Sequence, residues 1–361
     1  MFASDARSRL TPLFFVAIIA YRYSLHERTA LMAELLQIAA GNLLSPIVMF
    51  FVLGVAAGYV RSDLTIPEPI SKALSLYLML AIGFKGGVAL SASGITSMVV
   101  LALTVAIVLS LLMPVIAFSI LRVVTSLDTK NAAAIAAHYG SVSIVTFVAA
   151  TSFLDYRQVH YEGLLVAMLA VMETPAIITG LLLARRSADA SSGEQEPIIS
   201  AQVLRQVFLC GSVVLLAGSF IIGWTTGDKG MQLMAPLVKE PFQAVLAIFL
   251  LDMGLMVGRR LSDFGRVGIQ LALFGLYMPL IGAAVGMAAA WAIGLSVGGI
   301  TLVGVLAASA SYIVVPAAMR LSLPQANPAI YVTLSLAVTF PFNLVIGIPL
   351  YHAVARLIGP A

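Results

Sequence analysis

Ten long apolar runs, at about 43–60, 70–92, 98–124, 131–154, 161–184, 203–225, 241–258, 266–294, 297–320 and 329–354, alternate with short polar stretches. Most reach the roughly 20 residues that a helix needs to cross a bilayer. The pattern predicts an all-α polytopic membrane protein of ten transmembrane helices.

The pattern also repeats. Gly83 and Gly87, spaced Gly-x-x-x-Gly, recur in the second half of the chain as Gly254 and Gly258. SVSIVTFVAA from Ser141 is matched by SASYIVVPAA from Ser309, and Pro175 is echoed by Pro341. Three landmarks in the same order at nearly one offset imply a duplication. Five spans per repeat is an odd number, so the second repeat must enter the membrane from the opposite side, the inverted-repeat plan of many secondary transporters. The first repeat is expected over 32–186 and the second over 201–361, joined by a polar linker over 187–200 within RRSADASSGEQEPIIS, which is available to a regulator. Residues 1–31 fit poorly. Their apolar run Leu10 to Ala20 is short and flanked by arginines, it lacks a small-residue cleavage site, and Met32 opens a natural first helix. They read as an N-terminal extension, either an interfacial helix or a start-codon artefact.

Spans four and nine each carry a small polar cluster near the middle, Gly140-Ser141-Val142-Ser143 in one and Ser309-Ala310-Ser311-Tyr312 in the other. These are the expected breakpoints, where broken helices cross at mid-membrane. A helix interrupted in lipid leaves backbone groups unpaired unless something polar fills the gap. Half-helix N-termini carry partial positive charge and free N–H donors, so two of them facing each other favour an anion. Close helix packing is the plainer use of such serines. Pro316, five residues after Ser311, and Pro175 and Pro341 in spans five and ten add interruptions.

Composition sharpens this reading. Hydrophobic residues make up 61% and charged residues 10% of 361, against roughly 25% charged in soluble proteins. If the first span runs outside to inside, eleven Lys and Arg fall in inner loops and four outside, a positive-inside bias for a multi-pass protein of the inner (plasma) membrane. Charges within spans are functional candidates. They are Lys85 between the glycines of span two, Asp252 two residues before the matching glycine of span seven, and Glu173 two residues before Pro175. Lys85 is expected to pair with Asp252 or Glu173, as a fixed cation or beside a proton-carrying carboxylate. His138 offers a proton relay or a helix hydrogen bond, and Asn343 either satisfies backbone groups freed near Pro341 or lines a cavity. Cys210 reads as a small buried hydrophobe. The sequence holds no nucleotide-binding loop, no metal-ligand spacing, no catalytic spacing and no nucleic-acid-binding face, so no enzyme and no cofactor are expected.

At these residues the chain resembles the sodium-dependent bicarbonate transporters. IGFKGGVAL from Ile82 is similar to the family's IGLTGGIAI, YEGLLVAMLAVMETPA from Tyr161 to its YEAWAGALYPFMDIPA, and LPQANPAIY from Leu323 to its IPSANPSAY. The resemblance implies a gate and core arrangement, a homo-oligomer that is frequently a trimer, an anion site between spans four and nine, and a PII-like regulator near the inner linker. The departures fall at the site. Against SSSDISGPP the chain has SASYIVVPA from Ser309, with Tyr312 on the Asp, Val314 on a Ser and Val315 on a Gly. Against GAVSGST it has GSVSIVT from Gly140, and Lys85 replaces a Thr. Hard cations need oxygen donors, so these losses argue against the sodium that the resemblance supplies. The expected function is a secondary transporter for a small anion, with bicarbonate leading. The alternatives are a small monocarboxylate, with proton coupling or no sodium coupling, and a membrane sensor that does not transport.

Overall fold

The computed structural model describes residues 41–94, 96–186, 211–260 and 268–360, together with Arg205 and Leu209. The extension over 1–31, the linker over 187–200, Cys210 and the expected start of the first span at residue 32 lie outside the described residues. Among these residues the protein is all-helical, without strands. Seven helices are long and apolar enough to cross a membrane, and Pro46–Tyr59 and Val297–Ala308 are shorter apolar helices.

The helices are α1 (Pro46–Tyr59), α2 (Glu68–Ser93), α3 (Ser97–Val124), α4 (Thr129–Gly140), α5 (Ile144–Tyr156), α6 (Leu164–Met172), α7 (Pro175–Arg186), α8 (Gly211–Val238), α9 (Phe242–Arg260), α10 (Ile269–Ala292), α11 (Val297–Ala308) and α12 (Val314–Ser322). The last span is α13 (Pro328–Ile358). It passes through Pro341 unbroken, because π-helical turns at Leu334–Thr339 and Asn343–Gly347 flank the proline. A wider turn absorbs the missing donor without ending the helix.

Small residues decide which helices meet. Gly83 and Gly87 of α2 lie against the backbone of α8 at Leu216 and Phe220, while Gly223 of α8 lies against Phe84. Gly254 and Gly258 of α9 lie against Gly54 and Gly58 of α1 in the same way. A Cβ at any of these positions would overlap a neighbouring main chain, so glycine is what lets the backbones touch. The pairs α1 with α9 and α2 with α8, joined by a contact of α9 with α2, form one bundle. The remaining helices pack mainly on one another, with α4 against α3 and α7, and α11 against α10 and α13.

Span six departs from its expected end at 225. The chain stays helical to Val238 across Gly227, whose φ of 54° and ψ of −145° join two helices at a sharp corner. Only glycine adopts such angles readily. Hydropathy falls at this corner while helicity persists, so the apolar pattern ended too early.

Candidate functional site

Helix α4 ends at Gly140 and α5 begins at Ile144, while α11 ends at Ala308 and α12 begins at Val314. Between them, Ser141-Val142-Ser143 and Ser309 to Ile313 are non-helical. Both segments lie deep within the protein, since every residue from Ala132 to Leu154 and from Gly298 to Ser311 is buried.

The two breaks touch. The Ser143 N–H donates to Ser309 Oγ at 2.9 Å, and the Ser311 N–H donates to the His138 carbonyl at 2.9 Å. Three of the four serine hydroxyls are engaged as well. Ser141 Oγ donates to the Glu173 carbonyl at 3.1 Å and Ser309 Oγ to the Leu306 carbonyl at 2.9 Å. Ser143 Oγ caps α5 by accepting from the Thr146 N–H at 3.2 Å. This corrects the simplest picture of two bare cradles, because each break has already satisfied one amide of the other. The donors that remain are the first-turn amides of α5 and α12 other than that of Thr146, which have no intrahelical acceptor, the hydroxyls of Ser143 and Ser311, and the Tyr312 hydroxyl. That hydroxyl lies beside Ser143, is buried, and makes no well-formed hydrogen bond.

The rest of the sequence-derived set divides. Gly140 accommodates the ring of Pro114, and Val142 and Ala310 are buried packing. His138 is fully buried, with Nδ1 on the Ala134 carbonyl at 2.7 Å, Nε2 without a partner, and its ring 4.5 Å from that of Tyr331. Asn343 resolves to the first of its two readings, because Nδ2 donates to the Ala308 carbonyl at 2.9 Å and closes the end of α11. Tyr351 holds it there by donating to Oδ1 at 2.8 Å.

Lys85 pairs with neither Asp252 nor Glu173. Its Nζ lies 3.7 Å from Asp155 at the end of α5 and 4.6 Å from the centre of the Phe242 ring. Asp252 instead accepts a short hydrogen bond from Ser71 Oγ, which joins α9 to α2. Glu173 is 1% exposed and its Oε2 has no partner. The separation follows from the bundle. Gly83 and Gly87 commit one face of α2 to α8, and Lys85 between them points toward the end of α5.

A cavity of about 740 Å³ reaches this crossing from one end of the molecule. Tyr312, Ile313, Val314 and Pro316 form its inner limit, with Phe249, Met253, Met256 and Leu336 as apolar wall. Toward its mouth stand Lys72, Arg260 and Arg320 against one carboxylate, Glu68, so its field favours anions. These three cations read in sequence as ordinary span-end charges, and only tertiary structure brings them together. At the opposite end a second cavity, of about 580 Å³, is mostly apolar and includes Asn42, Ser152, Asp155 and Gln243.

A multi-pass helical protein whose discontinuous helices meet at a buried polar crossing belongs to the architecture of membrane transporters. The profile of the Na+-dependent bicarbonate transporter superfamily matches residues 46–356, and the chain belongs to that superfamily. No individually curated protein matches it.

Proposed function

We propose that the protein is a secondary transporter for a small anion, carried at the crossing of the α4–α5 and α11–α12 breaks by alternating access. One observation carries this reading. The α11–α12 break, hydrogen-bonded to the α4–α5 break, forms the inner wall of a cation-lined cavity, where the Tyr312 hydroxyl and uncapped first-turn amides remain as donors. Ten spans in two inverted repeats are supported by the reciprocal glycine packing. The Gly-x-x-x-Gly of each half lies on the first helix of the other, α2 on α8 and α9 on α1. In this scheme α1, α2, α8 and α9 form the gate and the other helices the core. The basic bias assigns the Lys72 end to the cytoplasm and the Asp155 end to the outside of the inner membrane. A trimer and a PII-like regulator remain part of the proposal through the superfamily resemblance alone.

Bicarbonate is the first cargo to test, because the superfamily bears its name. A small monocarboxylate is the second reading, favoured by the apolar wall of Phe249, Met253, Met256, Val314 and Leu336. Uptake of labelled bicarbonate and pyruvate into proteoliposomes, with and without a sodium gradient, tests both. Saturable, protein-dependent uptake of one of them without sodium is expected. The absence of uptake and exchange for both would end the transporter reading.

A further inference from the structure

Serine hydroxyls tie down the backbone at the junction of α6 and α7, but no described partner accounts for the side chain of Glu173. Ser110 Oγ donates to the Met172 carbonyl at 2.7 Å and accepts from the Ala176 N–H at 3.1 Å, bridging the turn before Pro175. Ser141 Oγ takes the Glu173 carbonyl at 3.1 Å, tying the junction to the α4–α5 break. The carboxyl group contributes to none of this. It is almost fully buried, with one oxygen unpartnered and no ion pair to any described residue.

The titratable groups on surrounding elements are engaged or placed elsewhere. Lys85 of α2 is held by Asp155, while Glu68, Lys72 and Tyr77 lie in the first three turns of α2. His138 of α4 bonds the Ala134 carbonyl through Nδ1 and leaves Nε2 unpartnered, and Tyr139 bonds Thr339 at 2.6 Å. Asp228 and Lys229 lie beside the Gly227 corner of α8, α3 and α7 carry arginine only in their last turns, α12 carries Arg320 in its last turn at the cavity mouth, and α11 carries no titratable residue.

An ionised carboxylate without a partner is strongly disfavoured in such a place. Neutral, it can donate a hydrogen bond. Ionised, it would repel an anion at the neighbouring crossing. Anion binding would then favour the protonated acid, and anion release its ionisation.

We propose, resting on the transporter reading above, that Glu173 is a proton-binding site that couples anion movement to a proton, and that the cargo it serves is a small monocarboxylate. Bicarbonate moved with a proton amounts to carbon dioxide and water, which cross lipid unaided. A carboxylate that stays ionised gains from the coupling, and the apolar wall suits its carbon skeleton.

The test uses the full-length protein in sodium-free proteoliposomes, with pyruvate as probe, reading counterflow, accumulation under a pH gradient, and current on a concentration jump. Wild type should accumulate pyruvate several-fold when the outside is acid and carry no net current. Glu173→Gln should keep counterflow, lose the pH response and become electrogenic. Glu173→Asp should restore coupling with a displaced pH profile, and it serves also if the glutamine variant fails to fold. Wild-type counterflow that is indifferent to pH, coupling that survives in Glu173→Gln, or exchange of bicarbonate but not pyruvate would each overturn the proposal while leaving a transporter. No counterflow of either anion would overturn both readings together.

Discussion

The two ends of the seam between the α1, α2, α8, α9 bundle and the other helices are built differently. At the Asp155 end, polar groups bridge the seam three times. Lys85 meets Asp155 at 3.7 Å, Ser152 Oγ donates to Gln243 Oε1 at 2.9 Å, and Asn42 Nδ2 donates to the Leu344 carbonyl at 2.9 Å. Midway, Phe340 stands between Phe51 and Tyr312, with ring centres 5.6 Å from each. At the Lys72 end the seam widens into the cation-lined cavity. Under the proposed alternating-access reading, these three bridges, which line a smaller and mostly apolar cavity of about 580 Å³, bias the resting state toward opening at the Lys72 end. The bridges need not be strong to set it. A partly exposed ion pair contributes roughly 0–1 kcal/mol and a neutral hydrogen bond about 1 kcal/mol. Every ~1.4 kcal/mol moves a two-state population tenfold.

The largest expected effect comes from closing the open end. With Cys210 replaced, cysteines at Lys72 and Arg320 joined by a bifunctional maleimide should abolish transport, and flux that survives complete cross-linking would show that this cavity does not open and close. The next effect comes from the proposed anion site. Tyr312→Phe removes an unpartnered donor with little cost to stability, and anion affinity should fall about tenfold if that hydroxyl contributes ~1.5 kcal/mol. Equilibrium binding, read beside thermal unfolding, separates the two.

Breaking the closed end should act more gently. Asp155→Asn should raise labelling of a cysteine at Ser45 from the outside by roughly three- to tenfold, in line with ~0.5–1.5 kcal/mol for the pair and its contact with Phe242. Unchanged labelling would make this ion pair decorative. Arg260→Gln should raise KM two- to threefold at low salt and have little effect at high salt, because a mouth cation steers anions over about a Debye length.

The smallest effect tests the frame. Asp128, just outside the membrane-spanning part of α4, caps that helix by accepting from the Asn131 N–H at 3.0 Å. Burial pushes its carboxyl upward, but backbone and side-chain hydrogen bonds, chiefly from Asn131, outweigh this and hold it below the ordinary aspartate value. A lowered pKa means that the cap is fully present above the unfolded-state value and is lost as pH falls through the folded one. Asp128→Ala should therefore cost about 1 kcal/mol near neutral pH and nothing in strong acid, read by thermal unfolding.

Much of this was legible in the sequence because membrane helices declare themselves by length, and small polar clusters within them declare their breaks. Ser141 to Ser143 and Ser309 to Tyr312 stood out for that reason, as did the paired glycines. Long-range polar pairing was not legible. Nothing in one dimension links Lys85 of α2 to Asp155 at the end of α5, and Asp252 two residues before a matched glycine was the more obvious partner. Sequence could not show that three of the serine hydroxyls are engaged by Glu173, Leu306 and Thr146, because each of those bonds depends on how the broken ends are turned. The cavity cations Lys72, Arg260 and Arg320 come from three separated helices, and only folding gathers them.

A structure determined with saturating pyruvate, and in parallel with bicarbonate, tests the central claim most directly. Solute density is expected between the first turns of α5 and α12, within hydrogen-bonding reach of the Tyr312 hydroxyl, with the Lys72 end open. Density confined to the apolar cavity near Asp155, or an empty crossing at concentrations that saturate transport, would contradict it.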